Sequence, residues 1–213
     1  MNKPFRLSAS SIKTYIWSKS KWAGQYILGV KDSYDSKDAL LLGKMFEERL
    51  FTGIDSWGIC DGVEIYDKEK FIESYDNLKH NSIWLKFEKW EHDVKIEGEM
   101  FGYPIIWYLD NLLPDCIDDI KTAQYLSKKE WTKNFWSGMS YYEEYSLQLW
   151  IYMKIKGINK SRILEVGKFR YKDNRHSNQI IEFELTEEFD KMMTDKYEPI
   201  VKNMFELYSK FNK

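Results

Sequence analysis

The segment Asp119-Ile120-Lys121 carries residue types that can do chemistry together. Read as a strand, it projects Asp119 and Lys121 from one face and sends Ile120 the other way, into a core. A β-rich run over Ile105–Leu109 ends at Asp110, and the proline-containing stretch 111–115 reads as a turn that folds Asp110 back beside Asp119. Two carboxylates and an ammonium would then share one small site. Hard oxygen ligands of this kind suit Mg²⁺, which is held by one or two carboxylates together with water and substrate phosphate. A lysine beside them can hold or polarise an attacking water and offset phosphate charge. The chemistry implied is metal-assisted phosphodiester hydrolysis. An Asp-x-Lys on a strand is also a common solvated cross-strand ion pair, so its surroundings decide. Asp118 is the alternative ligand, but it shares a face with Ile120 and lies opposite Lys121.

Two further groups lie in the surrounding sequence. Glu47 stands four positions after Gly43 in a stretch, Gly43–Phe51, that reads as helix. Gln148 and Tyr152 are spaced i,i+4 and so share one face of a helix downstream. A Gln amide and a Tyr hydroxyl are sound donors to a phosphate or a metal-bound water. Each alone is ordinary, a solvated glutamate and a satisfied polar pair.

Positioning these groups requires a particular order of elements. Serines 8, 10 and 11 offer N-caps to an apolar-periodic run through Tyr15, Ile16 and Tyr26. Helices are expected over Asp38–Phe51 and across Lys68–Lys89. Val94–Phe101 alternates as a strand, Gly102-Tyr103-Pro104 reads as a turn, and Ile105–Leu109 and Cys116–Thr122 complete an antiparallel meander. A helix over Tyr141–Ile155 closes at Gly157, Arg162–Tyr171 and Gln179–Leu185 read as strands, and Thr186 with Glu187 and Glu188 starts a last helix toward Phe211. The fold class expected is mixed α/β (α+β), a central mixed sheet containing an antiparallel meander and flanked by helices. With no repeat and no Pro/Gly-rich linker, 1–213 reads as one domain. A helical flank would run to about residue 92, ahead of an α/β core.

In combination and in this order, the motifs resemble those of the PD-(D/E)XK nuclease superfamily, in the branch holding RecB-like nuclease domains and phage lambda-type exonucleases. Ser8-Ala9-Ser10-Ser11-Ile12 with Tyr15 resembles the Ser-x-Ser opening of those proteins. Gly43–Phe51 resembles their first motif, Asp110 the second, Asp119-Ile120-Lys121-Thr122-Ala123 the third, and Gln148-Leu149-Trp150-Ile151-Tyr152 the Gln-x-x-x-Tyr motif. The resemblance implies a restriction-endonuclease-like core and Mg²⁺, with Mn²⁺ able to substitute. Asp110, Asp119 and the Ile120 carbonyl would hold the metal, and Glu47 would complete one side. Lys121 would position the nucleophilic water, and Gln148 and Tyr152 would orient the strand. Many relatives carry histidine where this chain has Glu47. An acidic residue there resembles the lambda-exonuclease type, with Glu48 a second choice about 100° further round the helix. The activity implied is DNA cleavage, by an exonuclease in phage-type recombination or DNA processing. A nucleic-acid-binding module without turnover is the alternative, against which the intact Asp110/Asp119/Lys121 set argues. Some phage relatives form rings, so a homo-oligomer and a recombination partner protein are compatible with the resemblance, though no assembly surface is legible.

Composition bounds these expectations. Two cysteines, Cys60 and Cys116, cannot build a four-cysteine iron–sulfur cluster and suit a reducing, cytoplasmic setting. No window approaches the roughly 20 apolar residues of a membrane span, and Met1–Arg6 lacks an export pattern. The net charge of −2 neither favours nor opposes DNA as a partner, because phosphate binding needs only a local basic surface. His80, His92 and His176 share no metal-ligand spacing and read as surface residues. Lys128, Lys129 and Lys133, interleaved with Trp131, Phe135 and Trp136, could stack and grip a strand. A solvated helix with its rings in the core is the simpler reading. Arg170, Lys172 and Arg175, around an expected hairpin turn, are further candidates for backbone contact.

Overall fold

The computed structural model describes residues 7–30, 37–65, 67–123, 141–170 and 176–211. Five strands, β1 (Glu91–Met100), β2 (Tyr103–Leu112), β3 (Ile117–Ala123), β4 (Lys160–Arg170) and β5 (His176–Glu184), form one sheet in sequence order. β1, β2 and β3 pair antiparallel, β3 and β4 parallel, and β4 and β5 antiparallel. This is the mixed sheet with a leading meander that the alternation predicts. The parallel step at β3–β4 requires a crossover, which α5 (Tyr141–Lys156) provides.

Both turns of the meander sit slightly away from their expected places. The first is the two-residue Phe101–Gly102, with φ of 55° and 81°, closed by the Met100–Tyr103 pair. Positive φ at both central residues is the type I′ geometry that matches strand twist. Tyr103 and Pro104, expected in the turn, are therefore already in β2. Pro104 is tolerated there because β3 pairs with β2 only at the far end, around Asn111 and Leu112. Phe101 accepts an unfavourable backbone region while packing its ring 6.0 Å from that of Trp150. At the second turn β2 runs on through Asp110 to Leu112, and Leu113 N–H donates to the Cys116 carbonyl at 2.9 Å.

Helices cover both faces of the sheet. On one face α3 (Lys37–Thr52) and α4 (Lys68–Lys79) pack Met45, Phe46, Phe71 and Leu78 against Ile120, Leu164 and Val166. The helix expected across 68–89 stops at Lys79, and a 3-10 turn over Ser82–Lys86, capped by the Asn81 side chain, follows it. On the other face α1 (Ala9–Trp17), α5 and α6 (Glu187–Phe211) pack against Ile117, Ile163 and Ile181. A short helix, α2 (Lys19–Trp22), continues from α1. Ile163 and Leu164 are consecutive yet belong to opposite cores, which is the period-two alternation of a strand buried on both faces. α5 buries five consecutive residues, Leu149 to Met153, and Leu147 before Gln148 as well, so it is a core helix rather than an amphipathic one. A Ser8–Ser11 capping box starts α1. Among the described residues, no helix is long and apolar enough to cross a membrane.

Candidate active site

The site forms where β2 and β3 part. Their register pairs Leu112 with Ile117 and Asn111 with Asp118. One step further along, Asp110 comes opposite Asp119. The ladder is replaced there by a side-chain contact, in which Ile120 N–H donates to Asp110 Oδ2 at 2.7 Å. A strand residue's N–H and C=O leave by the same edge, so the Ile120 carbonyl also points into the opening between the strands.

Asp119 is 1% exposed. Its Oδ1 accepts from Gln148 Nε2 at 2.6 Å, and the same amide nitrogen donates to the Tyr152 hydroxyl oxygen at 2.6 Å. The i,i+4 spacing on α5 thus delivers both side chains to the third motif. Oδ2 of Asp119 is buried and receives no neutral donor among the described residues. The Lys121 ammonium lies 2.5 Å from it as an ion pair. Glu47 reaches the site from α3, and its Oε1 meets His92 Nε2 at 3.1 Å.

The electrostatics reflect carboxylates crowded in a poorly solvated place. Burial pushes the Asp119 carboxyl up to about 7; Lys121 opposes the shift, and Asp110 and Glu47 add to it. Burial, then Asp110, raises Glu47, with His92 and Lys121 working against them. Burial alone would lower Lys121, but Asp119, Asp110 and Glu47 more than offset it and hold the ammonium charged. Burial, then Asp119, raises the Tyr152 phenol well above its ordinary range, so it stays a neutral hydroxyl.

Among the described residues, no three His, Cys, Asp or Glu side chains converge as a closed metal-ligand group. Glu47 in particular is engaged with His92 rather than joined to Asp110 and Asp119 in one shell. Mg²⁺ needs less than such a cage, because one or two carboxylates and water suffice. The donor set here is hard oxygen, with one carboxylate oxygen, Asp119 Oδ2, buried and facing only the Lys121 ammonium among the described residues. Those features fit a divalent cation at Asp110 and Asp119, with the Ile120 carbonyl on the same edge.

Asp118, the alternative ligand, turns to the opposite face. It is fully buried and held by Arg162 through Nε at 2.7 Å and a terminal nitrogen at 2.8 Å, with Asn111 at 3.4 Å. That fork-to-carboxylate pair braces the base of β3 and β4. Arg162→Met strands a buried carboxylate and is expected to cost about 3–5 kcal/mol of folding stability. Urea unfolding at pH 7 measures it, and a loss below roughly 1 kcal/mol contradicts the bracing role.

Several neighbours were not legible in the sequence. A cavity of about 340 Å³ opens beside Lys121 and Gln148, lined also by Ser10, Lys13, Glu144 and Tyr145. Lys13 crosses it to Glu144 at 3.0 Å. Ser10 belongs to the Ser-x-Ser opening and Lys13 follows it by one helical turn, so the capped start of α1 was the available signal for them. His92, expected on the surface, is indeed there, yet it contacts Glu47 and stacks on Phe51 at 3.7 Å between ring centroids. The basic-aromatic stretch Lys128–Trp136, and Lys172 and Arg175, lie outside the described residues, as does the side chain of Arg170.

No family model matches the sequence, and no curated protein matches it. Solved structures do share its shape. A candidate exonuclease from Eubacterium rectale superposes with a TM-score of 0.71 at 17% identity, covering 97% of this chain and 82% of that one. A phage-related exonuclease from Haemophilus somnus 129PT is similar over 96% of both chains, at 15% identity and a TM-score of 0.44. The first of these shows that the chain has the fold of the Eubacterium rectale protein.

Proposed function

We propose that this protein is a divalent-metal-dependent DNA nuclease of the PD-(D/E)XK type, acting as an exonuclease. One observation carries the reading. Where β2 and β3 part, Asp110, Asp119 and Lys121 are gathered within one pocket of charge, with Gln148 and Tyr152 bonded to it from α5. The fold shared with the candidate exonuclease from Eubacterium rectale supports the same direction.

Each side chain has a role in this reading. Asp110, Asp119 and the Ile120 carbonyl would hold a divalent cation, which when bound would supply Lewis-acid activation of water and of the phosphate. Lys121 donates to the attacking water and offsets charge gathering on the phosphate oxygens. Asp119 is anchored by Gln148 through Oδ1, which would leave Oδ2 as the oxygen for the cation. Tyr152 fixes the Gln148 amide, so the pair sets the geometry of the ligand rather than handling a proton. Lys13 and Ser10 border the cavity along which a strand would leave.

The test uses labelled linear and circular DNA with Mg²⁺ or Mn²⁺. Linear DNA is expected to be degraded from its ends, circular DNA to be spared, and EDTA to stop the reaction. Cleavage of circles would make the enzyme an endonuclease. Retention of DNA in a mobility shift, with no cleavage under either metal, would favour a binding module without turnover.

A further inference from the structure

We propose that His92 is the positioning residue for Glu47, supplying from β1 an imidazole that fixes this carboxylate at the edge of the metal site. The inference rests on the nuclease reading above, since it assigns Glu47 a task beside the Asp110/Asp119 cation. Three observations point to it. His92 Nε2 meets Glu47 Oε1 at 3.1 Å. The imidazole lies flat on Phe51, with centroids 3.7 Å apart and planes 18° from parallel. Glu47 and Phe51 are one turn apart on α3, so a single ring touches both and its angle is set by one to serve the other.

The third observation is how β1 delivers the ring. His92 pairs with Asn111, the residue next to Asp110, and the register then passes to Val94–Leu109, skipping Asp93. Asp93 has φ of 51°, the left-handed region that a non-glycine residue rarely occupies. A kink therefore sits opposite Asp110 itself, and strand irregularities of this kind re-aim side chains. Asn111 holds the chain leading into it. Its side-chain oxygen accepts from Trp90 N–H at 3.0 Å, and its amide donates to the Glu88 carbonyl at 2.9 Å. His92, Asn111 and Asp118 share the sheet face that looks toward α3, while Asp119 and Lys121 look toward α5. Glu47 thus approaches from the opposite side to Gln148, and each carboxylate has its own holder: Gln148 for Asp119, His92 for Glu47. Partners of metal-site carboxylates commonly fix ligand orientation in this way.

Two substitutions separate the hydrogen bond from the ring packing. His92→Phe keeps a ring against Phe51 and removes the nitrogen, whereas His92→Gln keeps a side-chain donor and removes the ring. Mn²⁺ titration of the whole protein, followed by the electron paramagnetic resonance of free Mn²⁺, gives the affinity. His92→Phe is expected to weaken Mn²⁺ binding by about 10-fold or more with little change in thermal midpoint. His92→Gln is expected to bind close to wild type with a lower midpoint. Adding His92→Phe to Glu47→Gln should change Mn²⁺ affinity no further, because both act through one carboxylate. Wild-type affinity in His92→Phe overturns the proposal, as does equal weakening in His92→Gln. Asp119→Asn is the control for the underlying reading. If it loses Mn²⁺ binding while His92→Phe does not, only the assignment of His92 falls; if it keeps Mn²⁺ binding, the metal site itself is misplaced.

Discussion

Lys121→Met is expected to slow Mg²⁺-dependent DNA cleavage by about 10²–10³-fold while leaving metal-dependent thermal stabilisation in place. Methionine keeps much of the apolar stem of lysine and removes the ammonium that faces Asp119 Oδ2 at 2.5 Å. The loss falls on the step in which charge builds on the phosphate, because this group carries the full positive charge among three carboxylates that hold it protonated. Substrate affinity should change less than turnover, since the metal and the cavity beside α1 remain. The variant also deprives a buried carboxylate of its counter-ion, which drives the Asp119 carboxyl further up and makes metal compete harder with protons. Single-turnover cleavage at saturating Mn²⁺ and alkaline pH separates the two effects. A wild-type time course under those conditions would falsify the role of Lys121.

The parts of this architecture that were legible are those governed by local periodicity. Asp119 and Lys121 share a face because strands alternate, and Gln148 and Tyr152 meet because helices repeat every 3.6 residues. Asp118 turns away by the same alternation, and its side chain is spent on Arg162. What was hidden depends on register and on turn geometry. The shift of the first turn onto Phe101–Gly102 followed from a positive φ at a phenylalanine, which no propensity favours. His92 became a neighbour of Glu47 only because β1 pairs to Asn111 and kinks at Asp93. Arg162 met Asp118 across a parallel pairing that leaves no local trace in sequence. Glu47 shows the same division. Its helix and its spacing from Gly43 were readable, but not its partner.

The burial of Asp119 makes its contribution to stability depend on pH, and a metal should reverse the dependence. An unfolded aspartate titrates near its ordinary 3.8, whereas this one titrates at about 7 in the folded chain. Between those values the folded state binds more protons than the unfolded state, so stability from this group is present at low pH and lost as pH rises through 7. Burial raises Glu47 in the same direction. Above pH 7 the metal-free protein therefore carries an ionised, buried carboxylate whose pairing with Lys121 only partly offsets its desolvation, at a cost on the order of a few kcal/mol. A divalent cation binds that ionised form. At pH 5 a carboxyl titrating at about 7 is only about 1% ionised, so apparent Mn²⁺ affinity should be about 100-fold weaker than at pH 8. The rise in thermal midpoint on adding Mn²⁺ should accordingly be small at pH 5 and large at pH 8. In Asp119→Asn the metal-induced rise is expected to vanish at both values, because an amide neither ionises nor offers a charged oxygen to the cation. Differential scanning fluorimetry across that range decides it. An equal Mn²⁺-induced shift at pH 5 and pH 8, or its survival in Asp119→Asn, would place the cation elsewhere in the molecule.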